Sequence, residues 1–198
     1  MDKNFDITNS TFNRKIAEWE IEHEDIFHLK NMYKSIYQWF QENEYTSFDE
    51  HEDDKYETLY FQKQNDSGMS EHHIWWRTQK KPNDSDYVKY VICLDYQTLI
   101  MQKTKIDYKG HKMSTNQGDV ILRCRSFVML DYNRKWRDHW FLSIMQRWFW
   151  RYLFRDQWLT HKETVWSETY SLQNHIKQFL ELKTASERPE SWFPDMKP

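Results

Sequence analysis

His72 and His73 are the one adjacent pair among the nine histidines, so metal chemistry would have to start there. Neighbouring side chains on a strand point to opposite faces, and such a pair cannot close on a single ion. His23 and His28 miss the four-residue step that aligns two ligands on a helix. His51 lies within the acidic stretch 49–54 (DEHEDD), which offers carboxylates but no fixed geometry for a cation. Cys93 and Cys124 sit among apolar neighbours on strand-like runs and read as buried free thiols. Arg123 and Arg125 flank Cys124, but alternation turns them to the other face, away from the thiol they would have to activate. The three glycines, Gly68, Gly110 and Gly118, are too sparse for a phosphate cradle, and no GxSxG, HExxH, Walker or EF-hand pattern occurs. The 31 carboxylates include no pair that spacing singles out. No catalytic residue, metal ligand or cofactor is therefore expected.

The chemistry that the residue types do favour is apolar and cationic. Five tryptophans, Trp136, Trp140, Trp148, Trp150 and Trp158, fall between Lys135 and Trp158, with Phe141, Phe149, Tyr152 and Phe154 among them. On a helix, Ser143, Arg147, Arg151 and Arg155 form one polar stripe at four-residue spacing on an otherwise apolar cylinder. A helix apolar over most of its circumference is usually covered by its own protein, so the run reads as the central core helix. The same composition also suits a helix lying in a membrane interface, with the arginines on anionic lipid, or a surface that stacks bases and contacts phosphates. Residues 1–57 carry 15 acids against 6 bases, and residues 120–160 carry 8 bases against 3 acids. That asymmetry reads as the acidic part docking on the basic part within one fold. An overall charge of −3 disfavours both anionic lipid and nucleic acid as the partner, and the local basic excess over 120–160 keeps both readings open.

These side chains must be positioned by recognisable elements. Residues 12–21 read as a strand with Ala17, Trp19 and Ile21 on one face. Asp25 to Glu42 changes to helical period through Ile26, Leu29, Tyr33, Ile36, Tyr37 and Phe40, with Glu22, Glu24 and Asp25 suited to its N-terminus. Tyr56–Gln64 and His72–Lys80 flank a hairpin loop, and 81–85 is a second turn. Tyr87–Tyr96 alternates with Val88, Tyr90, Ile92 and Leu94 on one face, and Thr98–Tyr108 continues as another strand. Turns at 109–111 and 116–118 precede a last strand, Val120–Tyr132, so each glycine sits in a predicted turn. Helical period returns over 138–158 and again over 162–182, where Val165, Thr169, Leu172, Ile176, Phe179 and Leu180 form the buried face. No Pro or Gly interrupts 137–182, so the two helices could be one bent helix. The fold class is α+β: an antiparallel sheet of five to six strands with an N-terminal helix and one long or two consecutive C-terminal helices on one face. One domain over 12–183 lies between flexible tails at 1–11 and 184–198.

The element order of residues 12–182 resembles the helix-grip architecture of START-like lipid-transfer proteins, polyketide cyclases and the birch-pollen allergen group. That resemblance implies a sheet curled round a long C-terminal helix and an apolar cavity between them. One N-terminal helix stands where those domains have a pair of short helices that help to close the cavity. YVKYVICLDYQTLIMQKTKI (87–106) and RYLFRDQWLTHKETVW (151–166) are similar to uncharacterised small archaeal proteins, a likeness that implies no activity.

The leading functional expectation is a non-enzymatic binding or interaction protein with an aromatic-lined groove, taking an apolar small molecule or a protein partner. Trp75, Tyr90, Phe127, Trp140, Trp148 and Tyr152 are the candidate lining residues. The alternatives are peripheral association with an anionic membrane through 138–158 and its basic stripe Arg147, Arg151 and Arg155, nucleic-acid binding through 120–160, and an enzyme of unrecognised type. Two cysteines and an N-terminus without an apolar leader (MDKNFDITNS) place the chain in the cytoplasm. The oligomeric state is left open.

Overall fold

Apolar alternation builds one sheet. The computed structural model describes residues 12–48, 55–66, 68–108 and 111–180. Its elements are β1 (Asn13–Phe27), α1 (Leu29–Glu42), β2 (Thr46–Ser47), β3 (Glu57–Gln64), β4 (Ser70–Lys80), β5 (Val88–Tyr108), β6 (His111–Leu130), α2 (Trp140–Tyr152) and α3 (Arg155–Phe179). The six strands form one antiparallel sheet in the order β1-β6-β5-β4-β2, with β3 also paired to β4. The expected tails at 1–11 and 184–198, the acidic stretch 49–54 and the glycine turn at 109–110 lie outside the described residues.

One face of the sheet carries the main core. Trp19 and Ile21 of β1, Leu122 and Cys124 of β6, Tyr90, Ile92 and Leu94 of β5, and Ile74 and Trp76 of β4 are buried beneath α1 and α3. Helix α1 contributes Met32, Ile36, Trp39 and Phe40, and α3 contributes Val165, Thr169, Leu172 and Ile176. The Trp19 indole donates to the Thr169 carbonyl at 2.9 Å, tying β1 to the middle of α3. The opposite face is mostly charged. Glu20 pairs with Arg123 at 2.6 Å, and Asp95 accepts from Arg77 at 2.6 Å and Arg125 at 2.8 Å. Strand β1 thus pairs beside β6, and Glu20–Arg123 is an ion pair between them. At one end of this face Phe48, Val91, Cys93, Phe127, Met129 and Tyr132 make a second, smaller cluster.

Three boundaries differ from the sequence expectations, each for a reason of pairing or packing. Helix α1 begins at Leu29, not Asp25, because β6 keeps pairing with β1 as far as Phe27↔Asn116. Glu22, Glu24 and Asp25 therefore lie on a strand, and the His28 ring accepts from Asn31 N–H to cap the helix.

The second difference is in the long hairpin. Tyr87–Tyr96 and Thr98–Tyr108 are one strand, β5, and residues 116–118 are part of β6 rather than a turn. The β5–β6 register slips between Leu99↔Asp119 and Gln102↔Gln117, so Ile100 and Met101 together oppose Gly118. This is a β-bulge, and it needs glycine on the partner strand. Gly118 has φ 152°, and a Cβ there would sit 2.9 Å from the Ile100 oxygen and the Met101 Cα.

The third difference is the helix break. It falls at Leu153–Phe154, not near residue 160. Phe154 is buried between the rings of Tyr87 (5.3 Å) and Phe149 (5.6 Å), and its N–H reaches back to the Phe149 carbonyl at 3.0 Å. Aromatic packing, rather than Pro or Gly, turns the chain here.

Candidate functional site

The link from β6 to α2 is organised by one buried carboxylate. Asp131 is 1% exposed and takes φ 51°. Its two oxygens accept the N–H groups of Trp136 and Arg137, each at 3.0 Å, and the Arg137 guanidinium adds a 3.2 Å contact. Arg137 also lies 4.1 Å from the Phe12 ring centroid. A buried carboxylate with this many donors is compensated, and it fixes the direction in which α2 leaves the sheet. His139 caps the helix, accepting from the N–H groups of Phe141 and Leu142.

The inner side of α2 rests on an aromatic bed. Phe149 packs on Trp136 (4.5 Å) and Tyr87 (5.6 Å), and Trp150 packs on Phe12 (5.7 Å) while its indole N–H donates to the Tyr87 hydroxyl. Burial pushes the Tyr87 hydroxyl above its ordinary pKa, which keeps it neutral. Arg14 stacks on both Trp150 (5.3 Å) and Trp158 (4.8 Å). Trp136, Trp150, Trp158, Phe149 and Phe154 are thereby used within the protein.

The outer side of α2 is bare. Trp140 is 75% exposed, Ile144 70%, Trp148 50% and Tyr152 64%, at successive four-residue steps along one line, with Phe141 beside them at 47%. The core-helix reading of 138–158 is corrected here: half of the circumference packs and the other half faces solvent. Solvent-exposed Arg151 lies 5.8 Å from the Tyr152 ring centroid, and no acidic residue occurs between Trp140 and Tyr152. Of the expected basic stripe, Arg151 stands on α2, whereas Arg155 opens α3 beyond the break. Arg147 belongs to α2, but its side chain lies outside the described residues. The stripe is not one continuous line, because the Phe154 turn divides it.

Of the six candidate lining residues, the structure brings together only Trp140, Trp148 and Tyr152. Tyr90 is buried beneath α3, its hydroxyl 2.7 Å from Nδ1 of His161. Phe127 is buried in the small cluster on the other face of the sheet, and Trp75 is exposed on that face with Arg77 over its ring. The six therefore line no common groove. Tyr90 pairs with Val128, so Phe127 has the opposite parity and cannot share its face. Ile144 escapes the sequence reading, and its four-residue spacing from Trp140 and Trp148 is the signal that finds it.

Titratable chemistry does not converge at α2. Among the described residues no group of three or more His, Cys, Asp and Glu could hold a metal ion. Cys93 and Cys124 are free and buried, and burial pushes both thiols up in pKa, Cys93 to about 11. Among the described residues no helix is long and apolar enough to cross a membrane. Comparison with protein-family models, curated proteins and solved structures finds no match.

Proposed function

We propose that this protein is a non-enzymatic interfacial binding module that docks on an anionic membrane surface through the outer face of α2. One observation carries the reading: Trp140, Ile144, Trp148 and Tyr152 stand exposed in a single line on a helix whose other side is anchored to the fold. Trp and Tyr favour the headgroup boundary, where an apolar ring and a polar edge are both satisfied. Arg151 beside the line, and the absence of any acid on α2, match a negative surface. Burying one such side chain contributes about 1.5–3 kcal/mol, and each arginine near anionic lipid about 1 kcal/mol. Several together are of the same order as the cost of association, about 4–15 kcal/mol. The two buried free thiols fit a reducing compartment, so the surface we assign is the cytoplasmic leaflet.

Flotation with phosphatidylcholine vesicles, with and without phosphatidylserine, tests this reading. The protein is expected to float with the anionic vesicles, and less so at high salt. The triple substitution Trp140→Ser, Ile144→Ser, Trp148→Ser should abolish flotation, and Arg151→Glu should weaken it. Unchanged flotation of the triple variant, or none by the wild type at low salt, refutes the assignment. If the wild type instead dimerises through this face and the triple variant is monomeric, the face belongs to a second copy of the chain.

A further inference from the structure

A second feature lies at the far end of β5 from Tyr87, where α2 docks. A cleft of about 940 Å³ opens between the first turns of α1 and the adjoining parts of β3, β4 and β5. None of the six candidate residues of the sequence lines it. Its volume lies near the top of the range that small-molecule sites occupy.

The bulge shapes this cleft. Before it, Tyr96 and Thr98 of β5 point to the helix side. The extra residue switches the alternation, so Ile100 faces solvent and Met101 turns inward, 4% exposed. Met101 and the buried Ile74 supply an apolar floor. Tyr33 and His72 add polar edges that are already partly engaged. The Tyr33 hydroxyl donates to Glu57 at 2.7 Å, and Nδ1 of His72 lies 2.9 Å from the Thr98 hydroxyl. Three lysines, Lys30, Lys34 and Lys103, stand round the cleft. All three are exposed, and within the described residues none has a carboxylate partner. Glu57, the one acid in the lining, is held by Tyr33. The cleft therefore combines an apolar floor with a surplus of positive charge at its rim.

We infer that the α1–β4–β5 cleft binds an organic anion with an apolar body, the body over Ile74 and Met101 and the anionic group among Lys30, Lys34 and Lys103. The shape follows from the inward Met101 and the charge from the three lysines at the rim. The site is separate from α2, so either proposal can fail without the other.

Calorimetric titration with dodecanoate tests it, with dodecanol as the uncharged analogue, acetate as the headgroup alone and naphthalene-2-sulfonate as a ring-bodied anion. Dodecanoate or naphthalene-2-sulfonate should bind one to one, and the tighter of the two tells an acyl chain from an aromatic body. Lys30→Glu, Lys34→Glu and Lys103→Glu together should weaken binding by about tenfold or more, since three favourable charges become unfavourable. These lysines are exposed, so the fold should survive, as circular dichroism would verify. Gln62→Trp on the exposed strand β3 should occlude the cleft and reduce binding. The α2 triple variant should bind as the wild type does. The inference is overturned if neither anion binds, if dodecanol or acetate binds equally well, if charge reversal leaves affinity unchanged, or if only the α2 variant loses binding.

Discussion

A methyl group at residue 118 would collide with the sheet it belongs to. The Cβ of Gly118→Ala would meet the Ile100 oxygen and Met101 Cα at 2.9 Å, and both are backbone atoms that cannot rotate away. The substitution should cost about 2 kcal/mol through strain and lost bulge geometry, read as a lower urea midpoint. Because the bulge turns Met101 inward, the same variant should also loosen the cleft. Asp131→Ala should cost more, about 3 kcal/mol, since it strands the Arg137 guanidinium and frees two part-buried backbone donors. Urea denaturation followed by tryptophan fluorescence would report both the loss and any loosening of α2. At this scale the sequence shows that Gly118 and Asp131 are present, but not why. A glycine among polar residues signals a turn, and only the strand opposite reveals a bulge. The role of Asp131 depends on where Trp136 and Arg137 return, which no local pattern encodes.

The two C-terminal helices differ in aromatic content and in energetic role. Leu172 of α3 is fully buried, so Leu172→Ala should cost about 2–5 kcal/mol. Trp148→Ser on the outer line of α2 should cost less, about 1 kcal/mol, since half of its surface is already exposed. Thermal unfolding of the two variants side by side checks the contrast. A large loss for Trp148→Ser would show that α2 is packed on both sides. The buried stripe of α3 was legible because Val165, Thr169, Leu172 and Ile176 follow the helical period against polar neighbours. That of α2 was not, because apolar residues occur round most of its axis. Periodicity fixes the angle at which a side chain leaves the helix but carries no information on what lies beyond it.

The whole molecule should lose stability on mild acidification. Burial lowers the pKa of His72 and of His161 from the ordinary 6.5. His72 is faced by Thr98, Tyr60 and His73, and His161 by the Tyr90 hydroxyl and the Phe154 ring. Both rings are held neutral in the folded state, while the unfolded chain protonates them at their ordinary value. As pH falls below 6.5 the unfolded state binds more protons, so stability declines. Above that value the contribution is fully present. The melting temperature should therefore fall between neutral pH and about 5, before most carboxylates titrate, and His72→Gln with His161→Gln should flatten that slope. A melting temperature independent of pH over this window would remove the burial argument.

What the sequence by itself determined was the set of local elements and the sides of them that are apolar. The alternating faces of β1 and β5, the buried stripes of α1 and α3, and the α+β class all follow from the repeat of two in a strand and 3.6 in a helix. Only the tertiary structure decided the rest. It placed Tyr90 and Phe127 on opposite faces, merged two expected strands into one bulged strand, divided the arginines between two helices, and left the Trp140–Tyr152 line uncovered. Each of these depends on pairing register or on docking between residues distant in the chain. Backbone geometry repeats every few residues and can be read locally, whereas register and docking are set by which distant side chains fill the space between elements.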